Sequence, residues 1–116
     1  MIVKKADSVP ARNVEMKGAQ GVRVRVLFGP SDDAPTFAMR VFEMSPGGHT
    51  PYHSHPFEHE VMVLNGKVGL VSEGGMRELQ REDAVLIVPG ERHQFRNLSG
   101  NDEARFLCLV PVEYQN

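Results

Sequence analysis

The stretch HSHPFEHEVMVLNG, residues 53–66, joins a cluster of three histidines to an alternating apolar run. In an extended strand successive side chains point to opposite faces, so His53 and His55 share one face. Pro56 interrupts the strand, and His59 begins a second strand in which Val61 and Val63 share its face. Three imidazoles are therefore expected to converge on one side of a sheet.

Strand-like patterns also run through the rest of the chain. Apolar residues recur with period two, or in short β-branched runs, at residues 22–28, 37–44, 61–64, 67–71, 84–88 and 106–110. Turn residues separate these runs, and helical spacing is nearly absent. The pattern predicts an all-β antiparallel sandwich or barrel. The Asn65-Gly66 pair favours a type I′ turn and predicts a hairpin between the strands beside it.

Size and charge exclude several classes of function. The 116 residues suit a single domain, residues 1–116, and the net charge is −2 without a basic run, so nucleic acid and membrane are poor partners. The N-terminus lacks the apolar stretch of a signal peptide, and the single Cys108 forms no internal disulfide, so a cytoplasmic location is expected. An N-terminal strand at residues 2–4 is predicted to exchange between the subunits of a homodimer.

A fourth histidine completes a candidate metal site. His93 opens the run HQFRN, in which Phe95 and Asn97 share its face. Four imidazole nitrogens, from His53, His55, His59 and His93, could then surround one divalent cation. Burying four imidazoles without a metal would be costly in unsatisfied donors and acceptors, so the metal-binding interpretation is favoured over a solvated loop.

Residues 47–66 resemble the first motif of the cupin family. Gly47, the His-x-His pair and Gly66 stand at the spacings of that motif, but His59 occupies the position where the family usually has glutamate. Residues 88–97 resemble the second motif through Gly90, His93 and Asn97, with the proline shifted by one position and Glu82 in place of the opening glycine.

The resemblance covers roughly residues 22–110 and is closest to small manganese-binding cupins with an all-histidine site. It implies a double-stranded β-helix, or jelly roll, with a metal ion inside the barrel. Manganese ranks first and iron second on this ground, whereas imidazole ligands by themselves suit zinc, copper, iron and nickel. Without a carboxylate ligand the site keeps the full charge of the cation, which favours an anionic or oxygen-chelating small molecule.

Several residues are expected around the metal. Phe106 and Cys108 face it if that strand has the predicted parity, and Phe95 walls the pocket or packs in the core. Met39 is preferred over Arg40 as the inward residue of its strand, because buried arginine needs a partner, although an inward Arg40 would clamp a carboxylate. Further candidates are His49 and Tyr52 on the loop at the barrel mouth, and Glu60, which points away unless a bulge turns it inward.

Two functions remain open. The first is a metal-dependent oxidoreductase that activates dioxygen or peroxide at two open coordination positions. The second is a module that binds or senses a small anionic or sugar-like ligand without turnover, supported by the absence of an obvious general acid or base. Isomerase or decarboxylase chemistry ranks last, because only His49 and Tyr52 are near enough to serve as acid or base.

Overall fold

A computed structural model of the chain describes residues 1–115. Its described residues form nine strands and three short 3-10 turns, at Ala6–Ser8, Pro30–Asp32 and Val112–Tyr114. The strands are β1 (Arg12–Asn13), β2 (Gln20–Phe28), β3 (Phe37–His49), β4 (His59–Asn65), β5 (Val68–Ser72), β6 (Gly75–Leu79), β7 (Ala84–Ile87), β8 (Gln94–Asn97) and β9 (Ala104–Pro111). No helix among the described residues is long and apolar enough to cross a membrane.

The strands pair antiparallel in the order β6-β5-β8-β3-β9-β4-β7, with β2 also on β3 and β1 on β2. β3 links the two halves, since residues 37–44 pair with β9 while His49 at its end pairs with β8. The sheet curls into the antiparallel jelly roll expected from the sequence. One mouth of the barrel is formed by residues 50–58, which connect β3 to β4.

The core lies between the facing strands. β9 alternates buried and half-buried residues along its whole length, with Phe106 and Cys108 nearly inaccessible. Val61 and Val63 of β4 stand opposite Cys108 and Phe106 and face the same interior. This period-two burial is what the apolar alternation in the sequence predicts.

The predicted hairpin at Asn65-Gly66 is wrong. β4 pairs with β7 and β9, whereas β5 pairs with β6 and β8, so this turn carries the chain from one half of the sheet to the other. Gly66 does have a positive φ of 87°, and a Cβ there would lie 2.8 Å from the Cα of Ala104. The glycine is needed for close packing against the start of β9 as well as for the turn.

The second motif also supplies a structural residue, Asn97. Its side chain is buried, and Nδ2 lies 3.0, 3.1 and 2.8 Å from the carbonyl oxygens of Met44, Ser45 and Asp102. Its Oδ1 accepts the backbone N–H of Ser99 at 2.9 Å. Asn97 thus satisfies the backbone groups of the neighbouring turns.

Residues 2–4, the predicted exchanged strand, form no strand within the chain. Lys4 instead donates to the carbonyl of Leu27 and pairs with Asp32 at 2.7 Å. Ile2 and Val3 are exposed, and the homodimer stays a prediction.

Candidate metal centre

Backbone pairing places two of the candidate ligands side by side. His53 and His93 exchange both backbone hydrogen bonds, at 3.1 and 2.9 Å, as an isolated antiparallel bridge. Opposite residues of such a pair project to the same side, and the two ring centroids lie 5.6 Å apart. This bridge brings together residues that are forty positions apart in the sequence.

His55 and His59 join them from the adjoining loop and strand. The carbonyl of His55 accepts the N–H of Gly90 at 2.8 Å, which fixes the loop beside the second motif. His59 is the first residue of β4 and only 8% exposed, because it begins the inward face of that strand. The ring of His55 lies between those of His53 and His59, with nitrogen–nitrogen distances of 2.9 and 2.8 Å.

The four predicted ligands form one cluster with a triad inside it. One nitrogen from each of His53, His55 and His93 lies within 4.8 Å of the others. His59 lies outside this triad but contacts it, since its Nε2 is 2.8 Å from Nδ1 of His55. The arrangement can offer three ligands to one ion, with His59 directly beside them.

Neighbouring acceptors orient two of the rings. Nδ1 of His93 lies 2.8 Å from the carbonyl oxygen of Glu91, which can only accept, so Nδ1 carries the hydrogen and Nε2 keeps a free lone pair. Nδ1 of His59 lies 3.2 Å from Sγ of Cys108 and leaves Nε2 toward the cluster. Ligand histidines in metalloproteins are commonly fixed in this way.

The surroundings favour the neutral form of three of the four histidines. Burial and, secondly, the charges of neighbouring histidines lower the pKa of His55 to about 4 and that of His59 to about 3. Burial also lowers the pKa of His53, with smaller effects from His93 and Arg92. Neutral imidazoles are the form that binds metal, so this donor set fits a divalent cation.

The cluster opens into an apolar cavity of about 290 Å³. Five aromatic side chains line it, and the rings of two of them, Phe57 and Tyr114, stack at 4.0 Å between centroids. Its walls among the described residues contain no carboxylate; they are Val14, Met16, Arg40, Phe42, Thr50, Pro51, Phe57, Phe95, Phe106, Cys108 and Tyr114, besides the four histidines. The cavity suits a planar, largely apolar ligand that reaches the imidazoles.

Arg40, not Met39, is the inward residue of β3. Arg40 stands opposite Cys108, and its Nη2 donates to Sγ at 3.0 Å. Its guanidinium also packs over the ring of Phe42 at 4.9 Å, which shares its face. Met39 lies on the other face of the strand, off the cavity wall. The expectation for Met39 is therefore corrected: sulfur and an aromatic ring, rather than a carboxylate, accommodate the buried guanidinium.

Three other candidates also lie off the cavity. Glu60 is exposed, because regular alternation along β4 turns it away from the buried His59. His49 ends β3, with Nδ1 3.3 Å from the carbonyl of Thr50 and 3.4 Å from Nε2 of Gln94. Tyr52 is 38% exposed and packs against Arg92. None of the three lines the cavity wall.

Several cavity residues were missed from the sequence. Arg40 could have been found from Phe42 and Met44, two large apolar residues that share its parity on β3. Val14 and Tyr114 had no local signal, because they reach the cavity from segments near the two ends of the chain.

The comparisons with known proteins agree with this fold. The cupin domain family model matches residues 40–110, and the chain belongs to the cupin family. The crystal structure of the polyketide cyclase RemF from Streptomyces resistomycificus is 36% identical, with a TM-score of 0.92 over 100% of this chain and 82% of that one.

Curated relatives carry different activities. The chain is 34% identical to the 1-methylthio-D-xylulose 5-phosphate methylsulfurylase of Rhodospirillum rubrum over 95% of its own length, but spans only 64% of that protein. It is 30% identical to the tetracenomycin polyketide synthase protein TcmJ of Streptomyces glaucescens, over 93% of this chain and 73% of that one.

Proposed function

We propose that this protein is a metal-dependent cupin enzyme that folds and cyclises a polyketide-like substrate. The observation that carries the proposal is a cluster of four histidines on the wall of an aromatic cavity whose described lining residues include no carboxylate. Similarity to RemF over the whole chain supports the substrate class. The reaction is an intramolecular aldol condensation, in which a methylene carbon bonds to a carbonyl carbon and water leaves.

His53, His55 and His93 would hold the metal, with His59 as the fourth ligand. When bound, a divalent cation supplies Lewis-acid polarisation of a carbonyl or enol oxygen. The aromatic walls bind the flat, conjugated parts of the chain and exclude water, and Phe57 stacked on Tyr114 offers one such surface. Holding the two reacting carbons in contact is the main contribution such a cavity can make.

Manganese is our first choice for the metal and iron the second, on the resemblance to manganese-binding cupins. Copper, nickel and zinc are the alternatives that imidazole donors favour. A homodimer is also proposed, with the exposed Ile2 and Val3 as part of the segment that would pair with a partner subunit.

Dioxygen activation is the second candidate function. It is favoured by the lack of carboxylate acids or bases on the described cavity wall, since an oxygenase needs an open metal position in an apolar pocket more than a proton relay. A binding module without turnover would show the same cavity but convert no substrate.

The first experiment measures metal content by elemental mass spectrometry in protein purified without added metal. We expect about one manganese or iron per chain, strongly reduced in His93→Ala and retained in His49→Ala, a matched histidine outside the cavity. No metal, or equal loss in both variants, would contradict the metal centre.

The second experiment tests the reaction on linear polyketone thioesters. Loss of one water from the substrate, without oxygen consumption, supports cyclisation. Oxygen consumption coupled to gain of oxygen atoms would replace the cyclase proposal with the oxygenase, and binding without either change would favour the binding module.

A further inference from the structure

We propose that Arg40 is a substrate-binding residue that selects ligands carrying an acidic oxygen, such as a carboxylate or enolate, on a planar ring system. The inference rests on the proposed function for the ring system, but the charge preference follows from the cavity itself.

Arg40 lines the cavity, and its guanidinium has few acceptors within the chain. Arginine carries five N–H donors. One of them, on Nη2, is directed to Sγ of Cys108 at 3.0 Å, and a thiol sulfur is a weak acceptor. Nε of Arg40 is buried and has no hydrogen-bond partner among residues 1–115. Such an unsatisfied donor is rare in folded proteins, so this guanidinium is short of acceptors from its own chain.

The charge around Arg40 is also unbalanced. No salt bridge of Arg40 occurs among the described residues, and none of those lining the cavity is acidic. A divalent cation held by the neighbouring histidines would add further positive charge. A bound anion would therefore supply the negative charge that is missing beside Arg40.

The surroundings of Arg40 define the shape of that anion. Its guanidinium stacks on Phe42, and the ring of Phe42 stacks on Phe106 at 5.2 Å between centroids. Planar guanidinium donors match the two oxygens of a carboxylate or an enolised β-dicarbonyl group, and the adjacent rings favour a flat apolar body. An aromatic acid or enol meets both requirements.

A pair of ligands that differ only in charge tests the proposal. 2-Naphthoate and 2-naphthamide share ring and shape, so the ratio of their dissociation constants, measured by calorimetry, reports the preference for the anion. We expect the intact protein to prefer naphthoate by about tenfold, as a charge-assisted hydrogen bond would give. In Arg40→Met the preference should fall to below about twofold, while naphthamide binding is retained.

Matched variants distinguish a direct contact between Arg40 and the ligand from a general effect of positive charge near the cavity. Arg92→Met removes one positive charge near the cluster, from an exposed residue that lowers the pKa of His53 but does not line the cavity. It should change the preference less than twofold. Arg40→Lys, which keeps the charge but not the planar donors, should retain an intermediate preference.

The measurement is made on protein as purified and again after removal of metal with a chelator. An Arg40-dependent preference in both forms supports the proposal even if no metal is found or no polyketone is cyclised. A preference that is absent, equal in Arg40→Met, or abolished equally by Arg92→Met would overturn it. Failure of both ligands to bind would also overturn it.

Discussion

Lowering the pH is expected to destabilise the metal-free protein well before its carboxylates titrate. His55 and His59 stay neutral in the folded state down to a pKa of about 4 and about 3, whereas the unfolded chain binds their protons near the ordinary value of 6.5. The unfolded state therefore binds more protons between those limits, and the free energy of unfolding falls as the pH falls. The free energy of unfolding is therefore unaffected by these two histidines well above pH 6.5, and it falls as the pH drops below that value.

The size of the effect follows from the two shifts. Each fully shifted group changes the free energy of unfolding by at most about 1.4 kcal/mol per pH unit. From pH 6.5 to pH 4.5 we expect His59, which is 8% exposed, to contribute about 2 kcal/mol. The half-buried His55 should contribute about 1 kcal/mol, because water screens it. A loss of about 3 kcal/mol is a large share of the stability of a small domain.

Urea unfolding of metal-free protein at four pH values between 7.5 and 4.5 measures the slope. His59→Gln cannot titrate and should lose about 2 kcal/mol of the pH dependence. Metal-saturated protein should stay stable to lower pH and then release the ion as protons compete for the nitrogens. A free energy of unfolding that stays flat between pH 6.5 and 4.5 would show that the folded cluster accepts protons freely, which would refute this account of its burial.

Three further predictions concern the scaffold, each checked by urea unfolding. Asn97→Ala should lower the free energy of unfolding by about 2–4 kcal/mol, because it leaves buried backbone groups without hydrogen-bond partners. An unchanged free energy of unfolding would mean that water replaces the amide. Glu43→Gln should cost about 2–4 kcal/mol, since three arginines surround this buried carboxylate, whereas Glu60→Gln on the surface should cost under about 0.5 kcal/mol. Gly66→Ala should lower stability by more than about 2 kcal/mol through its clash with β9, and Gly100→Ala, in open space, should be nearly neutral.

The convergence of the histidines was predictable because it depends on alternation and spacing. His53, His55 and His59 lie within seven residues, and His93 follows a turn that returns the chain to the same edge. Parity along β4 also placed Glu60 on the surface once the strand proved regular. Patterns with period two are thus reliable where one face is buried.

Features that depend on distant segments were not predictable. The pair Asn65-Gly66 has the sequence of a hairpin turn, but which strands pair is decided by packing across the barrel. The orientation of β3 was hard to predict because each face carries a charged residue that is at least half-buried, Arg40 on one and Glu43 on the other. Only the structure shows that Arg23, Arg25 and Arg105 neutralise Glu43 on the outer face.

The buried Glu43 and the half-buried Arg40 of β3 differ in a way that leads to a last prediction. Glu43 has three arginines from its own chain, the closest being Arg105, whose Nε lies 3.1 Å away at an angle that makes an ion pair but no hydrogen bond. Arg40 has no counter-charge among the described residues and leaves Nε unsatisfied. An arginine that contributes only to stability is not expected to keep an unsatisfied Nε, because an unpaired buried donor costs about 1–3 kcal/mol.

Arg40→Met is therefore expected to stabilise the protein in the absence of ligand. It removes the orphaned donor, and loses a weak contact to sulfur and a cation–π contact worth about 0.5–1 kcal/mol. The net gain should be about 1 kcal/mol in the free energy of unfolding, measured by urea titration at neutral pH. Saturating 2-naphthoate should narrow this difference, because it binds the arginine form more tightly than Arg40→Met and so stabilises it more. If Arg40→Met is instead destabilised without ligand, the arginine is part of the scaffold and its unpaired charge is no sign of a binding role.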